Sequence, residues 1–319
     1  MTTVCSQDKL LSGVSNQARK FILANTVTYC DMLDLTPSGV STLRTENSDY
    51  AKLGCTKVVI ETNANITEDN INNVKVQWIS TNTVSQQNQS KVILYLFGGG
   101  FVCGGPNDDL AITARVSMYT GCQICVPFYR LAPEHPYPAA LNDIFNVYQS
   151  LIESYQDVVV MGESAGGNLA LALVHSVITS KLLRLPCALV LLSPWIDLTH
   201  SGISHLTLEG LDPTLDVKKF LEPAAKSYAN GLPLDSPAIS PLWSPISKGW
   251  PPTFLSSGTR DLLLSDTIRL TTKLRDAGTI VDLHIADGLW HVYEWYPDLP
   301  ESITYLKRCS DFISRQGGT

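Results

Sequence analysis

The residues with the clearest chemical meaning are Gly162-Glu163-Ser164-Ala165-Gly166. A serine hydroxyl is a weak nucleophile until it is held on a tight turn and served by a base. Small residues two positions to either side let a strand and a helix approach closely enough to form that turn. The apolar run Val158 to Met161 before the motif and the helix-forming NLALALVHSVI after it supply the two elements. The helix would also aim its N-terminus at negative charge developing beside the serine. A bare G-x-S-x-G arises by chance in loops, so the flanking strand and helix are what favour Ser164 as a nucleophile.

A serine that attacks an acyl group generates an oxyanion, which needs backbone N–H donors aimed at it. Gly98-Gly99-Gly100-Phe101 follows the strand-like KVILYL directly. Such a run lets backbone come close to a ligand, whereas a merely flexible turn would not need this placement. The serine also needs a base and a carboxylate to orient it, in the chain order Ser, acid, His. After the elbow helix the histidines are His200, His205, His284 and His291. The first two fall in a presumed insertion, and His284 lies inside a predicted strand, where a packed role fits better. His291 lies in the loop that follows. Asp261 comes at the C-terminal end of the preceding strand, where open parallel sheets build their sites. Asp266 reads as a helix-capping residue, and Asp287 is close in sequence to His291, so Asp261 is preferred. His284, Asp287 and His291 have no metal-ligand spacing, and no metal or other cofactor is expected.

These residues need a scaffold that presents them at strand ends. From residue 91 onward, short apolar runs alternate with helical stretches: 91–96, 123–126, 158–161, 188–192, 253–256 and 281–284, with helices over 139–152 and 168–180 between them. Strands apolar throughout and separated by helices indicate a parallel sheet covered on both faces. Two regions break the rhythm. Residues 15–33 suit an amphipathic helix, and TKVVIET (56–62) and NVKVQWIS (73–80) suit edge strands. Residues 197–247, rich in Pro, Ser and Trp, with a helical piece over 217–228, sit where a lid over a site would be inserted.

Composition narrows the partners. The chain has 319 residues, 44% hydrophobic and 17% charged, with a net charge of −7 and no basic block. It is long and apolar enough to bury a sizeable core. Nucleic acid and anionic membranes are poor partners, and an uncharged or weakly charged small molecule fits better. No apolar run is long enough for a membrane span. The first twenty residues lack the features of a signal peptide, which points to a cytoplasmic protein with unpaired cysteines. Cys122 and Cys125 read as buried hydrophobes rather than metal ligands. Asn65-Ile-Thr67 and Asn88-Gln-Ser90 read as chance matches to the glycosylation pattern.

The chain resembles the hormone-sensitive-lipase family of α/β-hydrolase esterases over residues 91 to about 295. FGGGFVCGG (97–105) resembles the family's HGGGF motif, and YRLAPEHPYPAALNDI (129–144) its YRLAPE segment. GESAGGNLA (162–170) resembles its nucleophile elbow and LLSPWIDLT (191–199) its following strand, while RDLLLSD (260–266) and GLWHVY (288–293) stand where it keeps acid and histidine. The resemblance implies an α/β-hydrolase fold: a mostly parallel central sheet with helices on both faces and a helical cap. The cap would comprise residues 1–50 and 197–247, and the catalytic domain 51–196 and 248–319. It further implies a carboxylesterase with a Ser164, Asp261, His291 triad and oxyanion donors at Gly99, Gly100 and Ala165, and it admits a homodimer. Departures are Phe97 for His, Glu163 for Asp, Phe128 for an acidic residue and Leu262 for Pro. An amidase, formamidase or lactonase using the same triad is an alternative, as is a non-catalytic receptor suggested by Phe97. Phe97, Trp195, Leu206, Phe220, Trp290 and Tyr293 are the candidate substrate-binding residues for short- to medium-chain or aromatic esters.

Overall fold

The structure is a computed structural model, which describes residues 11, 13–25, 32–82, 90–181 and 183–317. Cys5, Cys30 and Asn88, together with most of the N-terminal segment read for targeting, lie outside the described residues. Eight strands form one sheet in the order β1-β2-β4-β3-β5-β6-β7-β8. They are β1 (Asn65–Ile71), β2 (Val74–Ser80), β3 (Lys91–Leu96), β4 (Gln123–Pro127), β5 (Asp157–Glu163), β6 (Ala188–Leu192), β7 (Thr253–Gly258) and β8 (Val281–Ala286). Only the β1–β2 and β2–β4 pairs are antiparallel. The parallel strands β3, β6 and β7 are buried at every position, which is why they read as unbroken apolar runs.

The sheet is flanked by α3 (Leu110–Thr120), α4 (Ala139–Ser154), α5 (Ser164–Ser180), α8 (Leu264–Asp276) and α9 (Pro300–Ser314), preceded in the chain by α1 (Asn16–Ala24) and α2 (Pro37–Thr62). Between β6 and β7 run the short α6 (Ser204–Thr207), a π-helical turn Val217–Leu221 and α7 (Glu222–Ala229). The helical piece expected there is therefore two joined elements, and they pack into the core through Phe220, Leu221, Ala224, Ala225 and Tyr228. Because β3, β5, β6, β7 and β8 run parallel, their C-terminal ends lie at the same end of the sheet.

Three local readings need correction. TKVVIET is not a strand; it is the last two turns of α2, whose Val58 packs into the core while Ile60 stays exposed. Its β-branched residues gave a strand signal that tertiary packing overrode. The edge strand proper is Asn65–Ile71, a mostly exposed segment with little apolar alternation to reveal it. Asp266 does not cap α8. It sits in the first turn, fully buried, and its Oδ2 accepts the N–H groups of Ile196 and Asp197 at 3.0 Å each. The N-terminal helix is shorter than the expected 15–33: it ends at Ala24 with Asn25 as its C-cap, Met32 and Leu33 are not helical, and 26–31 lie outside the described residues.

The junction of β5 and α5 leaves no room for side chains at its glycines. A Cβ on Gly166 would lie 2.0 Å from the carbonyl oxygen of Leu96 at the end of β3, and one on Gly162 would lie 2.4 Å from that of Gly166. Backbone atoms cannot yield as a flexible side chain can, so a methyl group here must prise the helix from the sheet. Gly166→Ala should cost about 3 kcal/mol or more and lower the melting temperature by several degrees. Thermal denaturation at the wild-type temperature would contradict this packing.

Candidate active site

Ser164 opens α5 with φ +50°, a value that L-residues with a Cβ seldom adopt. The strain is held from three sides. The elbow glycines admit the neighbouring backbone, the Trp195 N–H donates to the Ser164 carbonyl at 2.9 Å, and the Asn168 amide donates to the Trp195 carbonyl at 2.9 Å. Ala165 is the next residue of the first helical turn, where backbone N–H groups have no intrahelical acceptor.

The glycine run forms a turn whose carbonyls are tied back. The Gly99 carbonyl accepts from Val102 N at 3.1 Å and Cys103 N at 3.0 Å, and the Phe97 carbonyl accepts from the Tyr129 hydroxyl at 2.6 Å. A trans peptide points its N–H opposite to its carbonyl, so turning the Gly99 carbonyl into the loop turns the Gly100 N–H the other way. Gly99 has φ +98°, and a Cβ there would lie 2.3 Å from the Cys103 carbonyl oxygen, so only glycine fits. The Phe97 ring stacks on Tyr129 at 4.1 Å and 11°. An aromatic stack thus holds the position that carries His in the family's motif.

Asp261 and His291 come together from the ends of β7 and β8. His291 Nδ1 lies 3.1 Å from Asp261 Oδ1, and both side chains are buried. Asp261 also accepts from Leu263 N and Ser257 Oγ, each at 2.8 Å. The two loops are stitched by Arg260 N to the Leu289 carbonyl at 2.8 Å. Burial alone would lower the His291 pKa, but the Asp261 charge and hydrogen bond outweigh it and raise it. Burial likewise pushes Asp261 up, and the imidazole with its other donors holds it below its ordinary value. With Nδ1 engaged, Nε2 is the nitrogen available to accept a proton.

Ser164 and His291 both line a cavity of about 310 Å³ together with Gly98, Gly99 and Gly100. Phe97 and Phe220 line it as expected, and the Phe220 ring sits over Gly100. Trp195, Leu206, Trp290 and Tyr293 do not. Trp195 is fully buried between Phe101 and His200 beneath the elbow. Trp290 is covered by Phe21, stacked at 4.5 Å, and Tyr293 is buried edge-on against Tyr305. Leu206 is 72% exposed on the outer side of α6. Trp295 and Tyr296 line it from the loop after His291, while the walls contributed by Phe21, Leu43 and Tyr50 were not legible, because nothing local in α1 or α2 shows which face meets the site.

Carboxyl groups crowd this region. Asp108, Asp109 and Glu163 line the cavity, and among the described residues no Lys or Arg does. Burial pushes Asp109 up to about 7 despite donors from the Tyr95 hydroxyl at 2.8 Å and Trp295 Nε1 at 2.9 Å. Burial also raises Glu163 well above the ordinary carboxylate range. Asp287 accepts a bond from Thr259 across the surface, and His284 packs on Phe254 from within β8. Among the described residues no group of His, Cys, Asp and Glu could hold a metal ion, and no helix is long and apolar enough to cross a membrane. Cys55, Cys103, Cys122, Cys125, Cys187 and Cys309 are free thiols.

A family model described as the alpha/beta hydrolase fold matches residues 93–294. An esterase of Acinetobacter venetianus is 31% identical, the match covering 69% of this chain and 74% of the relative. An acetyl-hydrolase of Streptomyces hygroscopicus is also 31% identical, over 72% of this chain and 77% of the relative. Among solved structures, the esterase E25 superposes with a TM-score of 0.88 at 30% identity, covering 96% of this chain and 95% of that one. An esterase from the bacterial hormone-sensitive lipase family gives 0.80 at 28% identity, over 95% and 98%. The receptor alternative has no counterpart among these relatives. The chain belongs to the α/β-hydrolase family, in its hormone-sensitive-lipase branch, and is an esterase.

Proposed function

We propose that this esterase hydrolyses uncharged short- to medium-chain or aromatic esters through an acyl-enzyme on Ser164. The observation that carries the reading is the His291–Asp261 pair at 3.1 Å, with His291 sharing one cavity wall with a serine held at φ +50°. His291 takes the proton from Ser164 Oγ as that oxygen attacks the ester carbonyl. Asp261 holds the imidazole in the useful tautomer and stabilises the imidazolium. The N–H groups of Gly99, Gly100 and Ala165 receive the oxyanion, and His291 then protonates the departing alcohol. Water repeats the sequence and frees the acid. Ser164→Ala should lower turnover of p-nitrophenyl butyrate by about 10³-fold or more. Undiminished turnover in that variant would sink the assignment.

The walls support this choice of substrate class. The cavity is small and faced by aromatic rings, so burial of an apolar acyl or aryl group supplies binding energy. Its charged lining is entirely acidic among the described residues. A carboxylate on the substrate would find no Lys or Arg in the lining to pair with and would give up hydration uncompensated, which costs several kcal/mol. The p-nitrophenyl hemisuccinate, similar in length to the butyrate but anionic, should therefore react with kcat/KM lower by about tenfold or more. Equal kcat/KM values for the two esters would refute this charge selectivity.

A further inference from the structure

Asp212 lies in the segment between β6 and β7 and is 3% exposed. Its Oδ2 accepts from two backbone donors, His291 N at 3.2 Å and Leu262 N at 3.3 Å. Its Oδ1 accepts from Thr214 N at 2.8 Å and Thr214 Oγ1 at 2.7 Å. Leu262 is the residue after Asp261. One carboxylate oxygen therefore bridges the peptide that follows the acid and the peptide that carries the histidine, while the other is fixed by Thr214. A proline at 262 would have no N–H to offer this bridge. The carboxylate comes from neither loop, but from the segment that also supplies Phe220 to the cavity wall.

A buried carboxylate with N–H partners on both loops fixes their separation, because each bond has a narrow length and angle range. The His291–Asp261 contact is a side-chain bond between those same loops. We infer that Asp212 is a positioning residue for hydrolysis: it sets the spacing of the acid and histidine loops and adds negative charge that favours the imidazolium. This rests on the Ser164–His291–Asp261 reading above. The titratable groups that act on His291 are Asp261, Asp212 and Glu294, and all three favour its protonated form. Asp212 itself is pushed up to about 6, by burial and the Asp261 charge.

The test is the pH dependence of p-nitrophenyl butyrate hydrolysis by Asp212→Asn, with folding checked by circular dichroism and melting temperature. His291 must be neutral to accept the serine proton. Losing a neighbouring negative charge lets the imidazole release its proton at lower pH, so the acid limb of kcat/KM should move down by about half a unit or more. At the optimum, kcat should fall by about tenfold or more while KM changes less than about threefold. A folded variant with wild-type kcat and an unmoved acid limb overturns the inference, as does one that only melts earlier. If Asp212→Asn does not fold, Thr214→Val decides. Losing the hydroxyl leaves Oδ1 with the Thr214 N–H alone; kcat should fall by about twofold to tenfold at constant KM, and unchanged kcat overturns the inference. Full activity in Ser164→Ala would instead overturn the underlying reading, so the two failures are distinguishable.

Discussion

A single backbone constraint organises this molecule: Ser164 occupies a positive-φ conformation between a buried strand and the first turn of a helix. A side-chain-bearing residue in that region costs about 1–3 kcal/mol and persists only where its surroundings leave no alternative. Here the surroundings are backbone at contact distance. Gly166 abuts the Leu96 carbonyl, Gly162 abuts Gly166, and the Ser164 carbonyl is held by Trp195 N. Closing β3, β5 and α5 against one another sets the serine beside the glycine turn that leaves β3. The strained turn and the proposed oxyanion donors are thus two outcomes of one packing event.

The other side of the site is built electrostatically. His291 and Asp261 stand on separate loops after β7 and β8, and the parallel β7–β8 register brings those loops side by side. Burial opposes charge on both groups, yet their mutual interaction prevails in each case. A second tier of buried carboxyls surrounds them. Glu294 accepts from Ser256 Oγ at 2.6 Å and is pushed up to about 7 by burial. Groups of this kind are held near neutrality by burial rather than neutralised by cations. The site is therefore acidic in composition while carrying less charge than its carboxyl count suggests, a setting suited to an uncharged acyl group.

Much of this was legible in the sequence because parallel sheets write plainly. Strands buried at every position give unbroken apolar runs, and the residues at or beyond their C-terminal ends are under steric or chemical constraint, as at 98–100, 162–166, 261 and 291. What could not be read depended on long-range contact. The last turns of α2 look like a strand because Val58, Val59 and Ile60 are β-branched, yet they continue a helix that packs on α3 and buries Val58. Trp195 and Trp290 were aromatic residues near the right motifs, but the first supports the elbow from below and the second is capped by Phe21. Asp266 had the spacing of a helix cap and instead secures the chain at 196–197. Asp212 gave no signal, since the partners that tie it to the site, the N–H groups of Leu262 and His291, are distant in sequence.

The central claim is that Ser164 is a nucleophile activated by His291. Its most direct measurement is the site and rate of labelling by a fluorophosphonate, followed by intact-protein and peptide mass spectrometry. One adduct per chain should form, located on Ser164, with a labelling rate that falls by about 10³-fold in His291→Ala. An enzyme that hydrolyses esters yet takes no adduct, or takes it on another serine, would contradict it.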